Sequence, residues 1–214
     1  MRIDPAADIL GLVDLQPTFM PGGELPVTGG DEIVPLVNRL LRVFPRAFAT
    51  QDWHPTDHTS FASQHPGHQP FETISLPYGE QVLWPDHAIA ASHNAAIHSD
   101  IDQRKIEAVI RKGADRLLDS YSAFYENDRT TPTGLDGWLR QRGHSRLFLC
   151  GLATDFCVAW SAEDAVRHGY EVIVIEDACR GIGLPAGNGL STIDAACTRL
   201  KQMGVRFVTS DAIT

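Results

Sequence analysis

The sequence predicts a single doubly wound α/β domain, a six-stranded parallel sheet flanked by helices, and three observations predict it. Short apolar runs alternate with amphipathic stretches along the chain. The runs are continuous in Val, Ile and Leu, as strands covered on both faces are. At 214 residues the chain suits one sizeable core and not two. With no internal repeat, linker or low-complexity tract, the domain is expected to span residues 1–214.

DILGLVD (8–14) reads as the first, buried strand. In DEIVPLVNRLLRVF (31–44) the apolar positions Ile33, Val34, Val37, Leu40, Leu41 and Phe44 form a helical stripe, with Asp31 as the expected N-cap. RAFATQD (46–52) and EAVIRKG (107–113) are the second and third strands. GLDGWLRQRG (134–143) is a short helix ended by Gly143. RLFLCGL (146–152) is the fourth strand, DFCVAWSAEDAVRHG (155–169) a helix closed by Gly169, and EVIVIED (171–177) the fifth strand. A helix over about 186–203 leads to VRFVTS (205–210), the sixth strand. The segment 52–105 breaks the pattern, holding seven of the nine histidines and two of the four tryptophans. A loop that long in a compact domain is usually functional.

The formal charge of −9 argues against a nucleic-acid or anionic-membrane partner, because both call for clustered Lys and Arg. No run approaches the roughly 18 apolar residues of a membrane span. The stretch MRIDPAADILGLVD reads as a strand lead-in and not a signal peptide. The four cysteines have no CxxC spacing, so reduced thiols and a cytoplasmic location are expected.

Ligands of open parallel sheets bind beyond the carboxyl ends of the strands, which directs attention to Asp14, Asp52, Lys112 and the stretch from Gly151. Asp52 and His54 lie two apart on an extended segment and so face the same way, fit to grip one ion. His87, in LWPDHA, offers a third ligand. One carboxylate and two imidazoles suit Zn2+, Fe2+ or Mn2+. A polar loop whose histidines cap backbone groups accounts for the same spacing. Asp14 alone reads as a turn or cap residue, and Lys112 as a solvated surface lysine, since the alternation of its strand leaves its direction open. Cys157 begins a helix after a buried strand, where amide dipoles favour thiolate and hold a developing oxyanion.

VDLQPTF with GGELPV, TQDWHPTDHTSFAS, LWPDHA, IRKG, DSYSAF and GLATDFCVAWSAEDAVRHGY follow one another over nearly the whole chain. In that order they resemble the nicotinamidases of the isochorismatase-like cysteine hydrolase superfamily. The resemblance implies Cys157 as nucleophile, Asp14 as general acid/base and Lys112 as third triad member. It implies Asp52, His54 and His87 as ligands of one divalent metal, Zn2+ first among the candidates. It further implies a cis Leu152–Ala153 peptide, an oxyanion hole from the amides of Ala153 and Cys157, and Phe19 and Trp84 sandwiching the substrate ring with Tyr121 nearby. His58 or Ser60 is a possible addition to the metal shell. The expected reaction is nicotinamide to nicotinate and ammonia through a thioester, in NAD salvage, with pyrazinamide also accepted. The chain is expected to act on a small molecule, and a homo-oligomer is left open.

Three other readings compete. A cysteine hydrolase of a carbamoyl or ureido amide shares the triad but does not generally need the D-x-H pair. A non-catalytic binding domain leaves the triad unexplained. A dinucleotide-binding protein requires G-x-G-x-x-G after the first strand, where DLQPTFMPGG stands instead.

Overall fold

The computed structural model describes residues 1–214. Its sheet is built from β1 (Asp8–Val13), β2 (Ala47–Asp52), β5 (Ile106–Lys112), β6 (Arg146–Leu152), β7 (Glu171–Arg180) and β8 (Arg206–Val208). These lie in the order β5-β2-β1-β6-β7-β8, all parallel. The helices α1 (Val34–Val43), α2 (Leu135–Gln141), α3 (Ala159–Arg167) and α4 (Thr192–Gln202) make the crossovers. One continuous core joins Ile9, Leu12, Phe48, Phe148 and Val174 of the sheet to Val37 and Leu40 of α1 and Ala162 of α3. No helix is long and apolar enough to cross a membrane.

From β1 the chain moves to β2 on one side, whereas from β6 it moves to β7 on the other. The crevice where this winding reverses is the standard ligand position of an open α/β sheet. It opens between Asp14, just past β1, and residues 152–157, just past β6. On the edge strand β5 alternate residues are exposed until Lys112, which is buried and pairs in register with Asp52. That settles the direction the alternation had left open: the amine points inward.

Several expected boundaries move. Asp31 does not cap α1: it opens a 3-10 turn (Asp31–Ile33), no side-chain cap forms, and the α-helix starts at Val34 with Pro35 in its first turn. The helix expected from 155 starts as a π turn, Thr154–Val158, before α3, so Cys157 sits in that wider turn. The last helix begins at Thr192 because Gly187, Asn188 and Gly189 have positive φ; a Ser191–Asp194 capping box then starts α4. Within 52–105 lies an antiparallel hairpin that hydrophobic patterning did not predict, β3 (Thr73–Leu76) with β4 (Gly79–Val82).

Candidate active site and metal cluster

Past the end of β2 the chain stays extended, placing Asp52 and His54 on one side and Trp53 on the other, where the Arg111 guanidinium lies 3.7 Å from the Trp53 ring centroid. His54 makes a parallel bridge with Ile89, and Phe61 with Trp84. These two pins lay residues 84–89 alongside and bring in His87. Asp52 Oδ2 is 3.7 Å from both His54 Nε2 and His87 Nε2. The far nitrogens are engaged: His54 Nδ1 bonds the Gly113 carbonyl and His87 Nδ1 the Pro85 carbonyl, each at 2.8 Å. Gly113 is needed at that contact, since a Cβ there would sit 2.4 Å from the His54 ring. Ring donors spent on carbonyls leave both Nε2 lone pairs turned toward Asp52, the orientation of metal-ligating imidazoles. A separation of 3.7 Å is too long for a hydrogen bond and suits donors sharing an ion at about 2.0–2.2 Å from each. The buried donor set therefore fits a divalent metal.

Asp52 also faces the other way. Its Oδ1 contacts Lys112 Nζ, which further reaches Asp14 Oδ2 at 2.9 Å, the Ser120 carbonyl at 3.1 Å and Cys157 Sγ at 3.4 Å. Burial alone would lower the Lys112 pKa, but Asp14, Asp52 and Cys157 outweigh it and hold the amine well above the ordinary lysine value. Asp52 is held well below the carboxylate range: burial opposes this, and the Lys112 ammonium prevails. Gln16 braces Asp52 through the backbone, accepting from its N–H at 2.8 Å and donating to its carbonyl at 2.9 Å.

Asp14 sits just past β1 with φ of 47°, a conformation uncommon outside glycine, and its N–H donates to Thr50 Oγ at 3.1 Å. One carboxylate oxygen of Asp14, one of Asp52 and Cys157 Sγ all lie within 4.8 Å of one another. Burial pushes both the Asp14 carboxyl and the Cys157 thiol up, the latter well above its usual range despite Lys112. Desolvation of the thiol thus acts against the thiolate preference expected of a helix start, and Lys112 acts with that preference.

The Leu152–Ala153 peptide is cis. Ala153 and Cys157 line one pocket with Phe19, Trp84, Tyr121, Asp52 and His87. The thiol, two members of the metal cluster and the three expected ring contacts thus face one small cavity. Trp84 Nε1 donates to the Tyr121 hydroxyl at 3.0 Å. Phe156 packs edge-on against Trp84, with ring centroids 4.9 Å apart, and against Tyr121 at 5.5 Å.

Four further lining residues, Leu25, Asp119, Phe156 and Ile182, escaped sequence reasoning. Phe156 adjoins Cys157, Asp119 opens DSYSAF and Leu25 lies in GGELPV, so all three lay inside motifs already singled out; Ile182 carries no local signal. Gln81, from the unpredicted hairpin, is fully buried and donates to Asp119 Oδ2 at 2.6 Å and the Tyr121 hydroxyl at 3.0 Å. His58 stacks on His54 with centroids 4.2 Å apart. Its Nδ1 meets Ser60 Oγ at 2.7 Å and its Nε2 the Leu118 carbonyl at 3.3 Å, so both residues stand behind the cluster. Burial, reinforced by His54, pushes His58 down to about 4.

The Isochorismatase domain family model matches residues 9–212. A nicotinamidase from Acinetobacter baylyi is 47% identical over 199 residues, covering 93% of this chain and 91% of that protein. The solved structure of a nicotinamidase–pyrazinamidase from Acinetobacter baumannii superposes with a TM-score of 0.94 at 48% identity, covering 98% of this chain and 99% of the other. A Pyrococcus horikoshii pyrazinamidase in complex with zinc superposes with a TM-score of 0.75 at 32% identity, covering 94% and 98%.

Proposed function

The chain belongs to the isochorismatase domain family, on its nicotinamidase branch, and on that premise we propose that this amidohydrolase converts nicotinamide to nicotinate and ammonia through a Cys157 thioester. The observation that carries the reading is one cavity lined by the Cys157 thiol, the Asp52 and His87 side of a metal cluster, and the aromatic residues Phe19, Trp84, Tyr121 and Phe156. A carbamoyl amide needs the thiol but gives the metal cluster no task.

Asp52, His54 and His87 would hold a divalent ion, zinc by the preference of one carboxylate and two imidazoles and by the zinc-bound relative. Such an ion supplies a Lewis-acidic point for the pyridine nitrogen, fixing the ring's orientation. Phe19 and Trp84 close on the ring faces, with Tyr121 and Phe156 at its margin. The carboxamide is thereby presented to Cys157, the positioning part of catalysis.

The mechanism starts from a Cys157 thiol and an Asp14 carboxylate beside the Lys112 ammonium, which Asp14, Asp52 and Cys157 hold in its charged form. Asp14 takes the thiol proton as sulfur attacks the amide carbon. The amides of Ala153 and Cys157 receive the developing oxyanion. Asp14 returns the proton to the departing nitrogen, releasing ammonia, then takes one from the water that attacks the thioester and passes it to the Cys157 sulfur as the C–S bond breaks. Lys112 stays cationic throughout and offsets the single negative charge as it moves from carboxylate to sulfur.

Ammonia release from nicotinamide, measured with and without chelator and beside Cys157→Ala, tests this. Activity should vanish in the variant, fall with chelator and return on adding zinc. Chelator-resistant activity would remove the metal from the reaction. Inactivity of the metal-loaded protein on nicotinamide, with turnover of a carbamoyl amide, would replace the substrate.

A further inference from the structure

Asp155 is 5% exposed and forms no ion pair with any Lys, Arg or His. Its carboxylate instead accepts from the Ile182 N–H and the Gly183 N–H, each at 2.9 Å, and from the Thr192 hydroxyl at 2.5 Å. Two of these neutral donors are amides of the strap 181–190 between β7 and α4, and the third, Thr192, opens α4 where the strap ends. The strap's other hydrogen bonds close it on itself: Ala186 N–H to the Leu190 carbonyl, Leu190 N–H to the Gly187 carbonyl, and Thr192 N–H to the Leu184 carbonyl. Those that reach the body of the protein run to Asp155. At Gly181 the strap presses so close that a Cβ would lie 2.6 Å from the Ile193 side chain and 3.0 Å from Asp155 Oδ1.

The anchor matters because of what stands at its two ends. Asp155 lies in the π turn that carries Cys157, and Ile182 lines the pocket that Cys157 faces. The turn has its own support, since Phe156 and Val158 both donate to the Ala153 carbonyl at 3.1 Å. Ile182 has no such local support. The Asp155 side chain thus bonds two strap amides and the hydroxyl at the start of α4, and leaves the nucleophile turn to the backbone. We infer that Asp155 is a positioning residue: it binds the 181–190 strap to the nucleophile turn and so seats Ile182 as the wall that retains the substrate ring. The inference rests on Cys157 and its pocket being the site of amide hydrolysis.

Releasing the strap should therefore be read in KM more than in kcat. Asp155→Ala should raise KM for nicotinamide about tenfold, with kcat changed by less than about threefold; Thr192→Val, which removes one donor and leaves the two amides, should raise it about two- to threefold. In an Ile182→Ala background the KM effect of Asp155→Ala should shrink below about twofold, because the anchored side chain is already gone. A fall in kcat at unchanged KM would place Asp155 in support of the nucleophile turn and overturn the inference, as would additive effects in the double variant. A second readout needs no substrate: iodoacetamide should label Cys157 several times faster in Asp155→Ala and in Thr192→Val, a variant less exposed to misfolding. Equal labelling rates would sink the inference. If nicotinamide proves not to be a substrate, the labelling rates still decide whether the strap shields the thiol.

Discussion

The two edges of the central sheet each bury an acid–base cluster, and the clusters are built on opposite plans. At the amino edge Asp8, fully buried at the start of β1, meets Arg146 at the start of β6 through Nε at 2.6 Å and a second guanidinium nitrogen at 2.5 Å. The Asp4 N–H adds a third donor at 2.7 Å. This planar two-point match satisfies the carboxylate and leaves no direction open. At the carboxyl edge one Lys112 ammonium is divided among Asp14, Asp52, Cys157 and a carbonyl, and the far oxygen of Asp52 points at two imidazoles beyond hydrogen-bonding range. At one end a single guanidinium satisfies one carboxylate; at the other a single ammonium is shared by two carboxylates and a thiol.

The sharpest way to break this contrast is Lys112→Met. Asp14 and Asp52 then face each other without the ammonium, so proton transfer and metal retention should fail together. Turnover should fall on the order of a thousandfold, and bound metal, measured by atomic absorption, should fall below one per chain. Retained metal with lost turnover would confine Lys112 to the thiol side. At the other edge, Arg146→Met strands the Asp8 carboxylate in the core. It should cost about 2–4 kcal/mol, a Tm decrease of roughly 5–15 °C, with kcat near wild type once the protein is folded. A kcat loss as large as that of Lys112→Met would erase the distinction between the edges. The smallest effect belongs to His144, buried beside Trp138 ahead of β6. Burial, with Arg46 nearby, lowers its pKa below the usual 6.5. A depressed histidine pKa means the unfolded chain binds the proton more readily, so its stabilising contribution is present above about pH 6.5 and is lost as pH falls below it. In His144→Phe the Tm difference between pH 8 and pH 5 should shrink by a few degrees; an unchanged difference would assign the acid sensitivity to other groups.

The carboxyl-edge cluster was largely legible in the sequence because strand ends are. Continuous apolar runs located β1, β2, β5 and β6, and the residue at which each run stops is the one the fold delivers to the crevice: Asp14, Asp52, Lys112 and the turn to Cys157. Spacing of two gave the shared direction of Asp52 and His54. What stayed hidden depends on contacts between distant segments. The inward turn of Lys112 follows from its register with Asp52, which alternation along β5 alone does not encode. β3 alternates polar and apolar over only four residues, Thr73–Leu76, and β4, Gly79–Val82, has a single apolar residue at its end, so the hairpin went unseen, and with it Gln81. Ile182 reaches the pocket only because Asp155 holds the strap there.

The winding reversal between β1 and β6 also has a kinetic meaning. Asp8 and Arg146 are 138 residues apart in the chain, and their strands must pair before Asp14 meets Cys157. Pairings of such long range close late, because a large loop must be ordered before any contact repays it. A refolding chain can regain much of its helix and still be inert. Recovered catalysis then serves as a clock for the last central pairing, a moment that spectroscopic signals of secondary structure pass over.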